Sequence, residues 1–239
     1  MASQSSSKNR NDRLPAFDSL RGFAMILMAI YHFSFDLNQF GIFQADMNND
    51  LFWLNFRAVI MTLFTGLVGV GLFLSGADFQ KKSFRKRLIK IGLCALAISV
   101  GTYLTNPIDW IYFGILHFIF LATILGPRLI RFPNACLLLG SAFVILPMLY
   151  RDHFFNRGLF HLTGLSPYKP LTQDFSPLFP WLGVVMLGIF IGYQASLGSS
   201  RIWQLHQNQL SFLGKHSLVF YMSHQIVLYP LAWLISSLI

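Results

Sequence analysis

From Ala58 to Ala77 the chain passes no charged residue, and apolar stretches of similar length recur along it. A run of about 18 or more apolar residues is long enough to cross the hydrocarbon core of a bilayer as a helix. Seven such stretches are expected to be helical: about Phe17 to Phe40, Phe52 to Ala77, Leu88 to Thr105, Trp110 to Pro127, Pro133 to Tyr150, Phe179 to Ala195 and Leu210 to Leu238. Turn and breaker residues separate them, among them Asn106-Pro107, Pro133, the stretch from Pro167 to Pro177, and Gly198-Ser199-Ser200. Composition agrees. Of 239 residues 54% are hydrophobic and 11% charged, where a soluble domain runs nearer 25% charged. The predicted class is all-α: a polytopic membrane helix bundle of about seven transmembrane helices. Residues 1–13 read as a disordered cytoplasmic tail and 14–239 as one transmembrane domain. No small-x-small cleavage pattern follows Phe23 to Ile30, so the first stretch reads as a retained span rather than a signal peptide.

The net charge of +9 does not point to nucleic acid, because the basic residues sit between apolar runs and not on a basic domain with its own core. They follow the positive-inside rule. With the N-terminus inside, fourteen Lys and Arg fall in inner segments, among them Lys81 to Lys90. Three fall outside: Arg151, Arg157 and Lys169. The expected orientation is therefore N-in, C-out. Cys94 and Cys136 lie inside apolar runs and read as small packing residues. The histidines lack metal-ligand spacing, so no metal is expected. HExxH, GxSxG and phosphate-loop patterns are absent.

Ionisable groups within spans are costly, and each is a functional-site hypothesis. His32, Asp36, Arg57, His117 and His224 are such groups, and Arg21 stands at the inner mouth of the first span. Arg21 and His32 are eleven residues apart, which is about three helical turns and about 16 Å. They therefore share a face. His32 and Asp36, at i and i+4, are neighbours. That pattern suits either a base with an orienting carboxylate or a hydrogen-bond pair that fastens helices. His224 shares a face with Tyr221 and Gln225. Arg57 suits either a site or snorkelling to headgroups, and His117 either a site or a helix contact. Gly66, Gly69 and Gly71 permit close helix packing. From these residues alone, three classes stay open: an enzyme, a proton-coupled carrier with a His/Asp/Arg relay, and a membrane scaffold. The first needs the polar groups to converge on a reactive centre. The second is disfavoured by the lack of matching halves.

Phe17-Asp18-Ser19-Leu20-Arg21-Gly22 with the apolar run to His32 resembles the first helix of the heparan-alpha-glucosaminide N-acetyltransferase catalytic-domain family. Ile111 to His117, Phe179-Pro180-Trp181-Leu182-Gly183, and Leu213-Gly214-Lys215-His216-Ser217 with Tyr221 and His224-Gln225 extend the likeness over almost the whole chain. The resemblance implies a multi-pass acetyltransferase of a bacterial inner membrane. Acetyl-CoA would be the donor, and an amine or hydroxyl of a sugar-containing acceptor at the outer face would receive the acetyl group. Arg21 would contact a CoA phosphate. His32 would act as base with Asp36 orienting it. Arg57, His117 or His224 would line the acceptor pocket or stabilise the oxyanion. Direct transfer and an acetyl-histidine intermediate both stay open, and no oligomeric state follows.

Overall fold

The computed structural model describes residues 14–198, 203, 205 and 207–238. The predicted tail, Arg201 and His206 lie outside them. Eight α-helices make up the described fold: α1 (Pro15–Gln39), α2 (Leu51–Leu74), α3 (Lys82–Thr105), α4 (Ile115–Leu129), α5 (Pro133–Leu149), α6 (Leu178–Leu197), α7 (Asn208–Lys215) and α8 (Ser217–Ser236). Two short 3-10 turns, His153–Asn156 and Gly158–Thr163, lie between α5 and α6. No β-strand forms among the described residues; one isolated bridge joins Phe113 to Phe175.

Local sequence sets the ends. Pro15 opens α1 at a position where its missing N–H costs nothing. Asp50 caps α2, its carboxylate accepting from the Phe52 N–H at 2.9 Å. Pro133 opens α5. Five helices, α1, α2, α3, α6 and α8, are long and apolar enough to cross a membrane. α4 and α5 are apolar but have 15 and 17 residues, or about 22 and 26 Å against a core of about 30 Å. All seven expected stretches are thus helical, but length alone qualifies five of them.

Three boundaries differ clearly from the sequence reading, the first being the third helix, which starts at Lys82 and not Leu88 and takes the basic run into its first turns. The fourth helix starts at Ile115 and not Trp110, because the preceding residues are held in an extended loop by the segment around Phe175. The seventh stretch is not one helix. The backbone leaves helical geometry at His216, with φ −103° and ψ 18°, separating the eight-residue α7 from α8.

α6 lies between α2 and α5, and α1 packs against α2, α7 and α8. The α2–α6 contact is backbone on backbone. A Cβ on Gly188 would stand 2.1 Å from the Gly66 carbonyl oxygen, and one on Gly69 would stand 2.0 Å from that of Val185. The α1–α7 contact uses the same device at Gly22 and Gly214, against Leu210 and Asp18. Burial falls on Met25, Met28, Phe64, Leu72, Phe118 and Ile189. Outward faces stay apolar: Leu93, Leu96 and Val100 of α3 and Ile226 and Val227 of α8 are exposed. Contiguous exposed apolar faces on long helices suit lipid, not water.

Candidate functional site

α1 turns one face inward, and that face carries Asp18, Arg21, Met25, Met28, His32 and Asp36 at successive i+3 and i+4 steps. Asp18, Met25, Met28 and Asp36 are buried; Arg21 and His32 are half-buried. α8 crosses this face and presents Tyr221, His224 and Gln225. His32 and His224 meet there, with ring centroids 4.9 Å apart and planes at 61°. Tyr31, Trp53 and Phe56 form an aromatic wall beside them.

The tautomer of His224 follows from its partner. Its Nδ1 lies 2.6 Å from the Tyr221 carbonyl oxygen. A carbonyl only accepts, so Nδ1 carries the proton and Nε2 keeps a lone pair. That Nε2 is buried and has no hydrogen-bond partner among the described residues. His32 likewise makes no hydrogen bond among them, although its ring is close to His224. Two imidazoles uncommitted at the nitrogens that matter, in contact and within an apolar bundle, are equipped to take up and release a proton.

No hydrogen bond between Asp36 and His32 is described, although their spacing makes them neighbours on α1. The Asp36 Oδ1 accepts from the Gln225 amide at 3.3 Å, and Oδ2 has no described partner. The carboxylate ties α1 to α8 rather than bonding to the imidazole four residues earlier on its own helix.

His117 is fully committed. The Gly114 N–H donates to its Nδ1 at 3.2 Å, so the proton sits on Nε2. Nε2–H donates to Ser99 Oγ at 2.8 Å, and that hydroxyl donates to the Ile111 carbonyl at 2.7 Å. The ring closes the open end of α4 and joins it to α3. No hydrogen bond or ring contact links it to the His32–His224 pair among the described residues.

A second polar group is built around a residue the sequence reading missed. Asp174, in the loop before α6, accepts from the Ile115 N–H at 2.8 Å and so caps α4. Gly114 makes the approach possible: a Cβ there would lie 2.3 Å from Asp174 Oδ2. Burial holds this carboxyl above the usual carboxylate range, and the Ile115 N–H, Lys169 and Arg57 partly offset it. Arg57 makes no described hydrogen bond or ion pair, and its charge acts on Asp174 and Lys169 only electrostatically. The Tyr221 phenol also feels Asp174, and its ring lies 5.6 Å from that of His224. Described contacts thus link Asp36 and Gln225, the two histidines and Tyr221, while Asp174 carries a second polar group at the start of α4.

Arg21 stands apart at the start of α1. Its Nη1 pairs with Asp18 at 2.8 Å, and its other nitrogen reaches toward Gly71 of α2. No group of three His, Cys or Asp side chains among the described residues is placed to hold a metal ion.

Residues 13–226 match the family model described as heparan-alpha-glucosaminide N-acetyltransferase, catalytic. The match covers most of the chain, and the chain belongs to that family. No curated protein and no solved structure gives a significant match. Family and helices together make it a multi-pass membrane protein of an acetyltransferase family.

Proposed function

We propose that this family member takes an acetyl group from acetyl-CoA on the cytoplasmic side and passes it to an amine or hydroxyl of a sugar-containing acceptor on the outer side. The membrane is a bacterial inner membrane, crossed seven times with the N-terminus inside. The observation that carries the reading is the His32–His224 pair, with Arg21 about 16 Å away on the same face of α1.

In this reading Arg21 holds a phosphate of the donor, since a guanidinium suits phosphate oxygens. His32 accepts the proton of the attacking N–H or O–H. The acceptor atom bonds to the acetyl carbonyl carbon, the C–S bond breaks, and the thiolate leaves with the proton returned from the imidazolium. The orphan Nε2 of His224 is the group that accepts a hydrogen bond from protonated His32, a role the sequence reading gave to Asp36. Arg57, Lys169 and Asp174 form the outer polar group that receives the acceptor. His117 supports α4 and takes no part in the chemistry.

Thermal unfolding in detergent tests the donor half without knowing the acceptor. A ligand that binds only the folded state stabilises it by about 2.7 kcal/mol at a hundredfold excess over Kd. A raised midpoint with acetyl-CoA, lost in Arg21→Ala, is the expected result. No shift with acetyl-CoA or longer acyl-CoAs overturns the reading.

A further inference from the structure

The connection from α5 to α6, Tyr150 to Pro177, is the longest between consecutive helices. It carries charges, as a loop in water would, yet it leaves large apolar side chains uncovered. Phe154, Phe160 and Leu171 are exposed, and Leu159 is 83% exposed. Its rings form one cluster. Phe154 lies 5.0 Å from Phe160 and 5.5 Å from Phe155, and Phe155 lies 6.1 Å from Tyr150 at the end of α5. The patch therefore continues the exposed apolar face of α5, which carries Leu138, Ile145 and Leu149 at helical spacing. The backbone of the segment is tied to itself: the Asp152 N–H donates to the Leu165 carbonyl at 3.0 Å, and the Asp152 carboxylate accepts from the Phe154 N–H at 2.7 Å. Such bonds let an irregular segment sit where water is scarce.

Helix length gives a second, independent reason. α4 and α5 are about 8 and 4 Å shorter than the hydrocarbon core. A tight turn, Ile130 to Phe132, joins them at one end, where Arg128 and Arg131 suit the headgroup level. Both helices therefore stop short of the opposite headgroups, at the ends where the long connection packs over them. There Arg151 Nε donates to the Pro147 carbonyl of α5 at 2.9 Å, Thr172 Oγ donates to the Trp110 carbonyl at 2.8 Å, and Asp174 caps α4. We propose that the α5–α6 connection is embedded in the interface of the phospholipid bilayer, with Phe154, Leu159 and Phe160 among the acyl chains and the exposed Arg157 at the phosphates. The proposal rests on α5 crossing the membrane, as in the seven-span reading, and on nothing about the donor. It sets the start of α4, with its Asp174 cap, below the headgroups rather than in open water.

The test is spin-label depth in nanodiscs of phosphatidylethanolamine and phosphatidylglycerol. Single labels at Leu159→Cys, Leu138→Cys and Gln80→Cys are placed in the full-length Cys94→Ala/Cys136→Ala chain, and thermal midpoints check that each variant folds. Leu138, exposed within α5, reports the acyl chains; Gln80, exposed between α2 and α3, reports water. At position 159 oxygen is expected to reach the label several-fold more often than at position 80, and a water-soluble nickel chelate several-fold less often. Equal nickel access at 159 and 80, with 138 shielded, overturns the proposal and leaves the seven-span reading standing. Nickel access at 138 equal to that at 80 shows that α5 does not cross, and overturns both. Leu159→Asp in the otherwise unchanged chain needs no label. An exposed leucine in water is replaced at little cost to the fold, whereas a carboxylate among acyl chains is costly. A midpoint lowered by several °C in the nanodiscs is expected, and an unchanged one overturns the proposal.

Discussion

The imidazoles of His32 and His224 meet at a 61° angle with centroids 4.9 Å apart, although one belongs to the first helix and the other to the last. The Tyr221 carbonyl fixes the proton of His224 on Nδ1 and turns its bare nitrogen into the bundle. A pair that served only to fasten α1 to α8 would be expected to share a hydrogen bond with a neighbour at each nitrogen. Here that fastening is done one turn further on, by Asp36 and Gln225.

Replacing His32 with Ala should therefore separate activity from stability. The ring is half-buried and makes no described hydrogen bond, so what the fold loses is its ring packing, about 1–2 kcal/mol. Loss of a general base should lower kcat by about 10² to 10⁴. Acetyl transfer from acetyl-CoA, set beside the thermal midpoint, decides it. Near-normal turnover in the variant removes His32 from the chemistry.

Gln225→Leu should act in the opposite way, through stability. It takes from Asp36 its described hydrogen bond and leaves a carboxylate that is 1% exposed. Stranding such a group costs about 1–3 kcal/mol. In the Asp36→Asn background, where no carboxylate remains to be stranded, the same substitution should cost less. A double-mutant cycle on thermal midpoints measures the difference, and strict additivity would show that the two side chains do not act together.

Much of this architecture was legible in the chain. Apolar length and breaker residues located the seven helical stretches, and an eleven-residue spacing put Arg21 and His32 on one face. What escaped was decided by contacts between distant segments. Nothing local marks Asp174 as the cap of a helix that starts 59 residues earlier. The choice of Asp36 between His32 and Gln225 depends on how α8 lies across α1. The break at His216 had a faint local signal in Gly214-Lys215, since a glycine and a cation near a helix end are common. The surrounding hydrophobicity outweighed it.

The glycine seam between α2 and α6 predicts a contrast between two Gly→Ala changes. At Gly188 the new Cβ would sit 2.1 Å from the Gly66 carbonyl oxygen and would force the helices apart. A loss of about 1–3 kcal/mol is expected. At Gly101 of α3 nothing lies within 4 Å, and the gain in helix propensity should stabilise by up to about 1 kcal/mol. Midpoints that move alike in the two variants would mean that α2 and α6 do not pack backbone to backbone.

Asp174 predicts a pH effect of definite sign. Its carboxyl is held above the usual carboxylate range by burial, against the pull of the Ile115 N–H, Lys169 and Arg57. The folded state thus binds this proton more tightly than the unfolded state. The stability it confers is present below the unfolded pKa and is lost as pH rises through the folded one. Asp174→Asn keeps an oxygen for the Ile115 N–H and cannot ionise. Its midpoint relative to wild type should rise as pH increases from about 4 to 7. A difference that is flat, or that runs the other way, contradicts this account of the carboxyl.

The packing of α1 against α7 and α8 has a consequence for biogenesis. The ribosome delivers His32 early and His224 only when the last helix is made. Until α8 docks, the first helix holds an unmatched imidazole and a carboxylate awaiting its amide. In the proposed reading, a nascent or prematurely stopped chain lacks the paired imidazoles, and they come together in one step, with closure of the bundle.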